Sequence, residues 1–160
     1  MTDFRIRPAA AADLEALDAK LTSLSREIGD PHPATIDDLR AGLFGPAAFV
    51  NALVAEGEGR VAAVALFTPV FSTARGGPGV YLSDIWVEHA TRGSGLGLRL
   101  LKAVSEASRA RWGAGFLRLA VHDDNGAARR FYEKQGFTAV VGEMVMVMDG
   151  PAFEAFWRQA

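Results

Sequence analysis

Arg92-Gly93-Ser94-Gly95-Leu96-Gly97 is the stretch that decides the fold, because it joins a strand-like run at residues 80–87 to a helix-like run at about 96–112. Its three glycines at alternate positions let the backbone come close to a ligand, since no Cβ intervenes. The helix that follows presents unpaired N–H groups and the positive end of its dipole. A strand, a glycine turn and a helix N-terminus together predict an anion site, most often for phosphate or pyrophosphate.

Two common phosphate motifs do not fit this loop. The dinucleotide fingerprint requires a third glycine where Leu98 stands, and the nucleotide P-loop requires Lys-Ser or Lys-Thr where Leu98-Arg99 stands. What remains is Arg-x-x-Gly-x-Gly, formed by Arg92, Gly95 and Gly97. A glycine-rich turn that binds no ligand is the alternative.

Length and composition predict an ordinary globular protein. The 160 residues, 49% of them hydrophobic and 22% charged, favour a single domain over residues 1–160. The net charge of −2 gives no basic field, so neither nucleic acid nor a membrane surface is an expected partner. The chain has no cysteine, which excludes disulfides, thiolate zinc sites and a cysteine nucleophile, and fits a cytoplasmic location. The first residues show no signal-peptide pattern.

Periodicity and turn signals predict an α/β fold (α+β) with a mixed central sheet of about six to seven strands flanked by helices. Asn125 is expected to cap a helix that ends at Gly136 in a left-handed conformation. The expected strands are residues 4–7, 49–55, 60–67, 81–87, 116–121, 137–141 and 144–148, and the expected helices are about 11–28, 35–43, 96–112 and 125–136, with a short one at the C-terminus.

Two separate motifs resemble those of the GNAT superfamily of N-acetyltransferases. Val87 and the loop 92–97 are similar to the superfamily's acetyl-CoA motif. The downstream segment is similar to N-x-x-A-x-x-F-Y-x-x-x-G-F, with Asn125, Ala128, Phe131-Tyr132 and Gly136-Phe137 at the matching positions. The resemblance covers essentially the whole chain, and it implies the GNAT fold with acetyl-CoA as co-substrate.

A narrower resemblance concerns Tyr81-Leu82-Ser83-Asp84. The diamine and polyamine acetyltransferase branch typically carries Tyr-Leu-Glu-Asp in this strand. Ser83 stands where that branch has a glutamate associated with amine recognition or deprotonation. The resemblance therefore implies Ser83 and Asp84 as substrate-binding residues and leaves the acceptor amine open.

The resemblance also implies how the donor is held. Backbone N–H groups of the loop would bind the CoA pyrophosphate, and residues 85–87 would pair with the pantetheine arm like an added strand, with the Val87 N–H facing the thioester oxygen. The Arg92 side chain either adds charge or is solvated, and Ile85 and Val87 can also serve as core. The implied cofactor-binding residues are Ile85, Trp86, Val87, Arg92, Gly93, Ser94, Gly95, Leu96, Gly97, Leu98, Asn125, Ala128 and Tyr132.

Tyr132 is the candidate general acid. A phenol, with a pKa of about 10, can protonate a departing thiolate, whose thiol has a pKa of about 8.5. The alternative role of Tyr132 is aromatic packing beside Phe131.

Asp84 is the first candidate for the general base, because a carboxylate in an otherwise apolar strand is expected to be paired or functional. Strand alternation places it on the face opposite Ser83, unless a bulge interrupts the strand. A water-mediated route without a single base is the alternative, and a relay through His122 is a further one. Glu88, His89 and Asp123 are nearby in sequence but are more typical of solvated strand ends.

Other side chains indicate packing or assembly. His32, His89 and His122 lack ligand spacing, which predicts no metal site. Apolar residues near the C-terminus favour either core cover or a subunit contact, and hence a homodimer: Met144, Met146, Met148, Phe153, Phe156 and Trp157.

The expected function is transfer of an acetyl group from acetyl-CoA to a primary amine of a small molecule, either a di- or polyamine or an amino acid. Without cysteine, direct attack in a ternary complex is favoured over an acyl-enzyme. Two alternatives stay open: acetylation of a protein N-terminus or lysine, and a non-catalytic acyl-CoA-binding sensor.

Overall fold

The computed structural model describes residues 3–158. Contacts divide the chain after His122 into two compact units, residues 1–122 and 123–160. Within the described residues, no helix has both the length and the apolar character needed to cross a bilayer.

The first unit is built on one mixed sheet of five strands in the order β1-β2-β3-β4-β5. The pairs β1–β2, β2–β3 and β3–β4 are antiparallel, and β5 runs parallel to β4 because a helix connects the two. Single helical turns at Ala11–Asp13 and His89–Thr91 precede α1 and the glycine loop. The elements are β1 (Arg5–Pro8), α1 (Leu14–Ile28), α2 (Ile36–Phe44), β2 (Asn51–Gly57), β3 (Arg60–Ser72), β4 (Gly77–Val87), α3 (Leu96–Trp112) and β5 (Leu117–Leu119).

Helices cover both faces of this sheet. On one face, Leu17 and Leu21 of α1 pack against a buried cluster from the central strands, formed by Ala52, Val54, Val64, Leu66 and Trp86. On the other face, α3 packs against β2, β3 and β4. The rings of Phe67 in β3 and Trp112 in α3 make a T-shaped contact, with the ring centroids 6.2 Å apart. Alternate residues of β3 therefore serve two cores, as the pleat requires.

Polar contacts fix the starts of α1 and α2. The Arg7 guanidinium of β1 binds both carboxylate oxygens of Asp13, at 2.7 and 2.9 Å, just before α1. At α2, the Thr35 hydroxyl accepts a hydrogen bond from the Asp38 N–H, and the Asp38 carboxylate accepts one from the Thr35 N–H. This capping box satisfies two N–H groups that a helix start leaves unpaired.

The second unit contains α4 (Gly126–Lys134) and α5 (Gly150–Trp157). The Asn125 side chain accepts a hydrogen bond from the Ala128 N–H at 3.0 Å, which confirms the predicted cap. Gly136 follows α4 with φ at 92°, so the predicted left-handed position is also confirmed.

The prediction of six to seven strands is wrong, because the described residues form five. Residues 137–141 and 144–148, predicted as two closing strands, are not part of any strand. A strand needs a neighbour to bond its backbone, and residues 123–158 contain two helices and no strand. Most of the apolar residues of these two segments are exposed rather than packed against other residues: Val141 is 94% exposed and Met146 is 86% exposed.

Candidate active site

A β-bulge in β4 sets which side chains share a face. Leu66 pairs with Asp84, and the next residue, Phe67, pairs with Leu82, so Ser83 is the extra residue. Leu66 belongs to the core under α1, whereas Phe67 contacts α3. Asp84 therefore faces α1 and Leu82 faces α3. In a regular strand, two residues separated by one position lie on the same face. The sequence alone could not decide whether this strand has a bulge, and the structure contains one.

The end of β4 has an open edge. Its pairing with β5 covers only Val80 to Leu82, and the strand continues to Val87. Among residues 3–158, no strand pairs with the last five residues of β4 on that side. This edge is where an extended ligand can add to the sheet through main-chain hydrogen bonds.

Backbone polarity shows which groups reach the open edge. The Glu88 N–H donates to Ala62 O at 2.9 Å, so Glu88 turns its backbone toward β3. In an antiparallel pair the hydrogen-bonded positions alternate, so Val87 and Ile85 turn theirs away from β3. The 2.8 Å hydrogen bond from Arg92 Nε–H to Val87 O agrees with this direction.

The glycine loop is a built turn with free N–H groups at its end. Gly93 and Gly95 have φ at 80° and 82°, the left-handed region that favours glycine. The Thr91 hydroxyl donates to Glu88 O, and the Ser94 hydroxyl donates to Thr91 O at 2.6 Å. Gly95 precedes α3 and supplies no side-chain cap, so the first N–H groups of the helix, at residues 96–98, have no partner within the helix.

The Arg92 side chain is exposed but is hydrogen-bonded to other groups of the protein. Both of its terminal nitrogens lie 2.7 Å from the Glu27 carboxylate of α1. The same carboxylate accepts a hydrogen bond from Trp86 Nε1–H at 3.2 Å. A cleft of about 320 Å³ opens beside this group, lined by Ser23, Arg26, Glu27, Trp86 and His89. The sequence analysis did not identify Glu27, because no local signal connects position 27 to the loop.

Asp84 lies on the face of the sheet that α1 covers. Burial raises the pKa of Asp84 above its ordinary value, and the Ser83 hydroxyl and a positively charged His32 oppose that rise. His32 Nδ1 lies 3.3 Å from the Ser25 hydroxyl. His32 Nε2 is buried and hydrogen-bonded to none of the described residues, although Asp18 Oδ1 lies 3.5 Å away. His32 and Asp18 are functional candidates that the sequence analysis missed in this role.

The other acidic candidate near this strand is already paired. Glu88 binds Arg60 and lies 3.4 Å from Lys20 Nζ, and the hydrogen bond from Arg60 lowers the pKa of Glu88. A paired carboxylate of lowered pKa is a poor proton acceptor near neutral pH.

Each histidine contacts a different carboxylate. His32 lies near Asp18, His89 lies 3.3 Å from Glu27, and His122 lies 3.0 Å from Asp30. Within residues 3–158, no group of three or more His, Asp or Glu side chains could hold a metal ion.

In the second unit, Tyr132 of α4 is held by two aromatic rings. Its ring centroid lies 5.2 Å from that of Phe131 and 5.4 Å from that of Phe137, both in edge contacts. Burial raises the pKa of Tyr132 to about 12. The hydroxyl is therefore protonated at neutral pH and is available as a donor. The Tyr132 carbonyl also accepts the Phe137 N–H at 3.1 Å, which closes the turn after α4.

Comparison with known proteins identifies the family of this chain. Residues 17–137 match the sequence profile described as the acetyltransferase (GNAT) family. The thialysine N-epsilon-acetyltransferase of Mus musculus is 34% identical over 146 residues, covering 85% of each chain. The Bos taurus protein of the same name is 35% identical over 118 residues, covering 69% of this chain and 68% of its own.

Solved structures share the fold. An integron cassette protein from the mobile metagenome of V. cholerae has a TM-score of 0.80 at 20% identity and covers 98% of both chains. An aminoglycoside N-acetyltransferase in complex with CoA has a TM-score of 0.75 at 17% identity, covering 94% of this chain and 97% of that one. At such identities the likeness concerns the fold alone.

Proposed function

The chain belongs to the acetyltransferase (GNAT) family as an N-acetyltransferase, and we propose that it acetylates the terminal primary amine of a small, lysine-like molecule with acetyl-CoA as donor. The observation that carries the acceptor is the 34% identity over 146 residues to a thialysine N-epsilon-acetyltransferase. Thialysine is a lysine analogue with sulfur in its side chain. The proposed acceptor thus has a reactive amine at the end of a flexible chain.

Donor binding is proposed at the open edge of β4 and the glycine loop. Acetyl-CoA supplies the acetyl group as a thioester. The backbone groups of Ile85 and Val87 are directed toward the open edge, which suits pairing with the amides of an extended arm. The residues proposed to surround the pyrophosphate are Arg92, Gly93, Ser94, Gly95, Leu96, Gly97 and Leu98. Left-handed Gly93 and Gly95 and the unpaired N–H groups of α3 support this assignment.

Asp84 is proposed as the group that takes the proton from the acceptor amine. An amine attacks only in its neutral form, so a proton must leave before or during formation of the C–N bond. Asp84 faces α1 across the bulge, and its pKa is raised by burial, which makes it a better base than an exposed aspartate. Ser83, exposed beside it, is proposed to contact the acceptor.

Tyr132 is proposed to donate the proton that the CoA thiolate takes up as the C–S bond breaks. A phenol is protonated at neutral pH and can therefore act as a donor, although burial, which raises the pKa of Tyr132 to about 12, makes it a weaker acid. Asn125 and Ala128 are proposed to contribute to donor binding at the start of the same helix. The net result is one C–N bond formed, one C–S bond broken, one proton taken by Asp84 and one given by Tyr132.

A di- or polyamine is the second candidate acceptor. Asp84 of β4 and Asp18 of α1 both lie near His32, and two carboxylates near one another favour a ligand with two or more positive charges. A lysine-like acceptor would in addition have its own carboxylate, which an arginine binds well.

The test is a panel of amines assayed by release of free CoA thiol. The panel contains thialysine, lysine, 1,4-diaminobutane, spermidine, a peptide with a free N-terminus and a lysine peptide with a blocked one. The proposal expects the highest kcat/KM for thialysine or lysine. Preference for the diamine or spermidine would select the second candidate, and preference for a peptide would refute both. Acetyl-CoA binding without thiol release from any amine would show a sensor.

We further propose that residues 1–160 act as one acetyltransferase domain, since the family match at 17–137 runs through the boundary between the two units. A homodimer is proposed from exposed apolar side chains of the second unit, which a partner subunit could cover: Met144, Met146, Met148, Phe153, Phe156 and Trp157. Light scattering of the purified protein tests this, and a monomeric mass would refute it. A cytoplasmic location is proposed from the lack of cysteine and is tested by cell fractionation.

A further inference from the structure

Glu27, near the end of α1, is the centre of a hydrogen-bond network that reaches the glycine loop. Its two carboxylate oxygens each lie 2.7 Å from a terminal nitrogen of Arg92, the bidentate geometry that suits arginine. The same carboxylate accepts the Trp86 indole N–H at 3.2 Å and lies 3.3 Å from His89 Nε2. Three groups, from β4, the turn after it and the glycine loop, therefore meet at one side chain.

Arg92 connects Glu27 to the backbone of β4. Its Nε–H donates to Val87 O at 2.8 Å, and its guanidinium carbon lies 5.9 Å from the centroid of the Trp86 ring. Val87 is the last residue of β4, and Arg92 is the first residue of the glycine loop. One side chain thus ties the end of the open edge to the start of the loop, and Glu27 orients that side chain.

The charges in this network cancel locally. The hydrogen bond from Arg92 lowers the pKa of Glu27, with smaller contributions from Trp86 and His89, so the carboxylate is ionised at neutral pH. Because Glu27 neutralises the guanidinium, Arg92 offers little net charge to an anionic ligand. Its contribution at this place is the geometry that it imposes.

We infer that Glu27 is a positioning residue for the donor site, which acts through Arg92 to fix the Val87 carbonyl and the first residue of the glycine loop relative to α1. The inference rests on the proposed binding of acetyl-CoA at that edge and loop. It assigns to α1 a role in holding the donor, in addition to covering the sheet.

Charge and positioning predict opposite effects for Glu27→Gln. Removing a negative charge next to an anion site should tighten acetyl-CoA binding, most strongly at low salt. Losing the bidentate anchor frees Arg92 and the Val87 carbonyl, which should weaken binding. Since charge-assisted hydrogen bonds are the stronger contribution, we expect the Kd for acetyl-CoA to rise about tenfold.

Isothermal titration of acetyl-CoA into the intact protein tests this, with Glu15→Gln as the matched control. Glu15 lies in the first turn of the same helix and is exposed, so the control makes the same charge change without touching the network. The KM for acetyl-CoA should also rise about tenfold while kcat at saturating donor changes less than twofold, a split that general destabilisation would not produce. Thermal unfolding of both variants checks that they fold.

Arg92→Lys is the second variant, and it keeps the charge while removing both the fork and the Nε donor. It should weaken acetyl-CoA binding to a similar degree, so the inference stays testable even if Glu27→Gln does not fold. Unchanged or tighter binding by either folded variant overturns the inference. Failure of the unmodified protein to bind acetyl-CoA is a different result, because it overturns the proposed donor site itself and the inference with it.

Discussion

Replacing Tyr132 with phenylalanine removes the proposed proton donor and leaves the ring. The ring contacts with Phe131 and Phe137, at 5.2 and 5.4 Å between centroids, are retained, so the free energy of unfolding should change little. General acid catalysis is typically worth about 10² to 10⁴ in rate. Burial raises the pKa of Tyr132 from 10 to about 12, which makes proton donation to a thiolate harder by roughly 3 kcal/mol. We therefore expect a fall in kcat near the lower end, about 10²-fold.

The assay is steady-state thiol release with the best amine of the panel, at saturating acetyl-CoA. The KM for acetyl-CoA should change by less than about threefold, because the lost hydroxyl acts on the leaving group in the transition state. Tyr81→Phe is the matched control, since Tyr81 is the other tyrosine of the chain. A kcat equal to that of the unmodified protein, or an equal loss in both variants, would refute the role of Tyr132. No alkaline limb below about pH 10 should arise from this residue.

Asp84→Asn should lower kcat/KM for the amine by about 10²-fold. It should also raise the melting temperature at pH 7, because a pKa raised by burial gives stability that is present at low pH and lost as the pH rises through the folded-state value. Lower stability at pH 7 would contradict the assigned environment. Gly95→Ala should cost about 1 kcal/mol of folding free energy and weaken acetyl-CoA binding, since φ is 82° there. Gly115→Ala, with open space and no left-handed backbone, is its control in denaturant unfolding and calorimetry, and equal effects would argue against the reasoning. Gly79→Ala would place a Cβ 2.4 Å from the Phe116 ring, so urea unfolding should show a loss of about 1–3 kcal/mol. A loss below ~0.5 kcal/mol would show that the ring moves freely.

The sequence predicts elements well where the signal is local. Helix α3 begins at Leu96 and ends at Trp112 as expected, because left-handed glycines at 95 and 113 mark both ends. The capping residues Thr35 and Asn125 likewise each accept a hydrogen bond from the N–H three residues further along the chain. The closing strands failed for the opposite reason, since alternating apolar residues form a strand only where another strand offers its backbone.

For the candidate site, too, the sequence identifies residues with a local signal and misses residues that depend on long-range contacts. The glycine loop, Asp84 and Tyr132 could be selected because their residue types are unusual for their position or match a family motif. Glu27 and His32 could not be selected, because they reach the site only when α1 and the following loop fold over β4. Along the chain, Glu27 is 59 positions from Trp86 and 65 positions from Arg92. The sequence also could not predict the face of the sheet on which Asp84 lies, because that face depends on the position of the bulge in β4.

The bulge at Ser83 also makes this position free to vary during evolution. Ser83 is exposed, and its hydroxyl donates a hydrogen bond to Leu66 O at 3.2 Å. Because the extra residue absorbs the register shift, changing its side chain leaves Leu82 in one core and Asp84 under α1. The polyamine branch that this strand resembles has a glutamate here. A single substitution at this point can therefore alter the preferred acceptor without repacking the sheet, so selectivity can diverge while the fold stays intact.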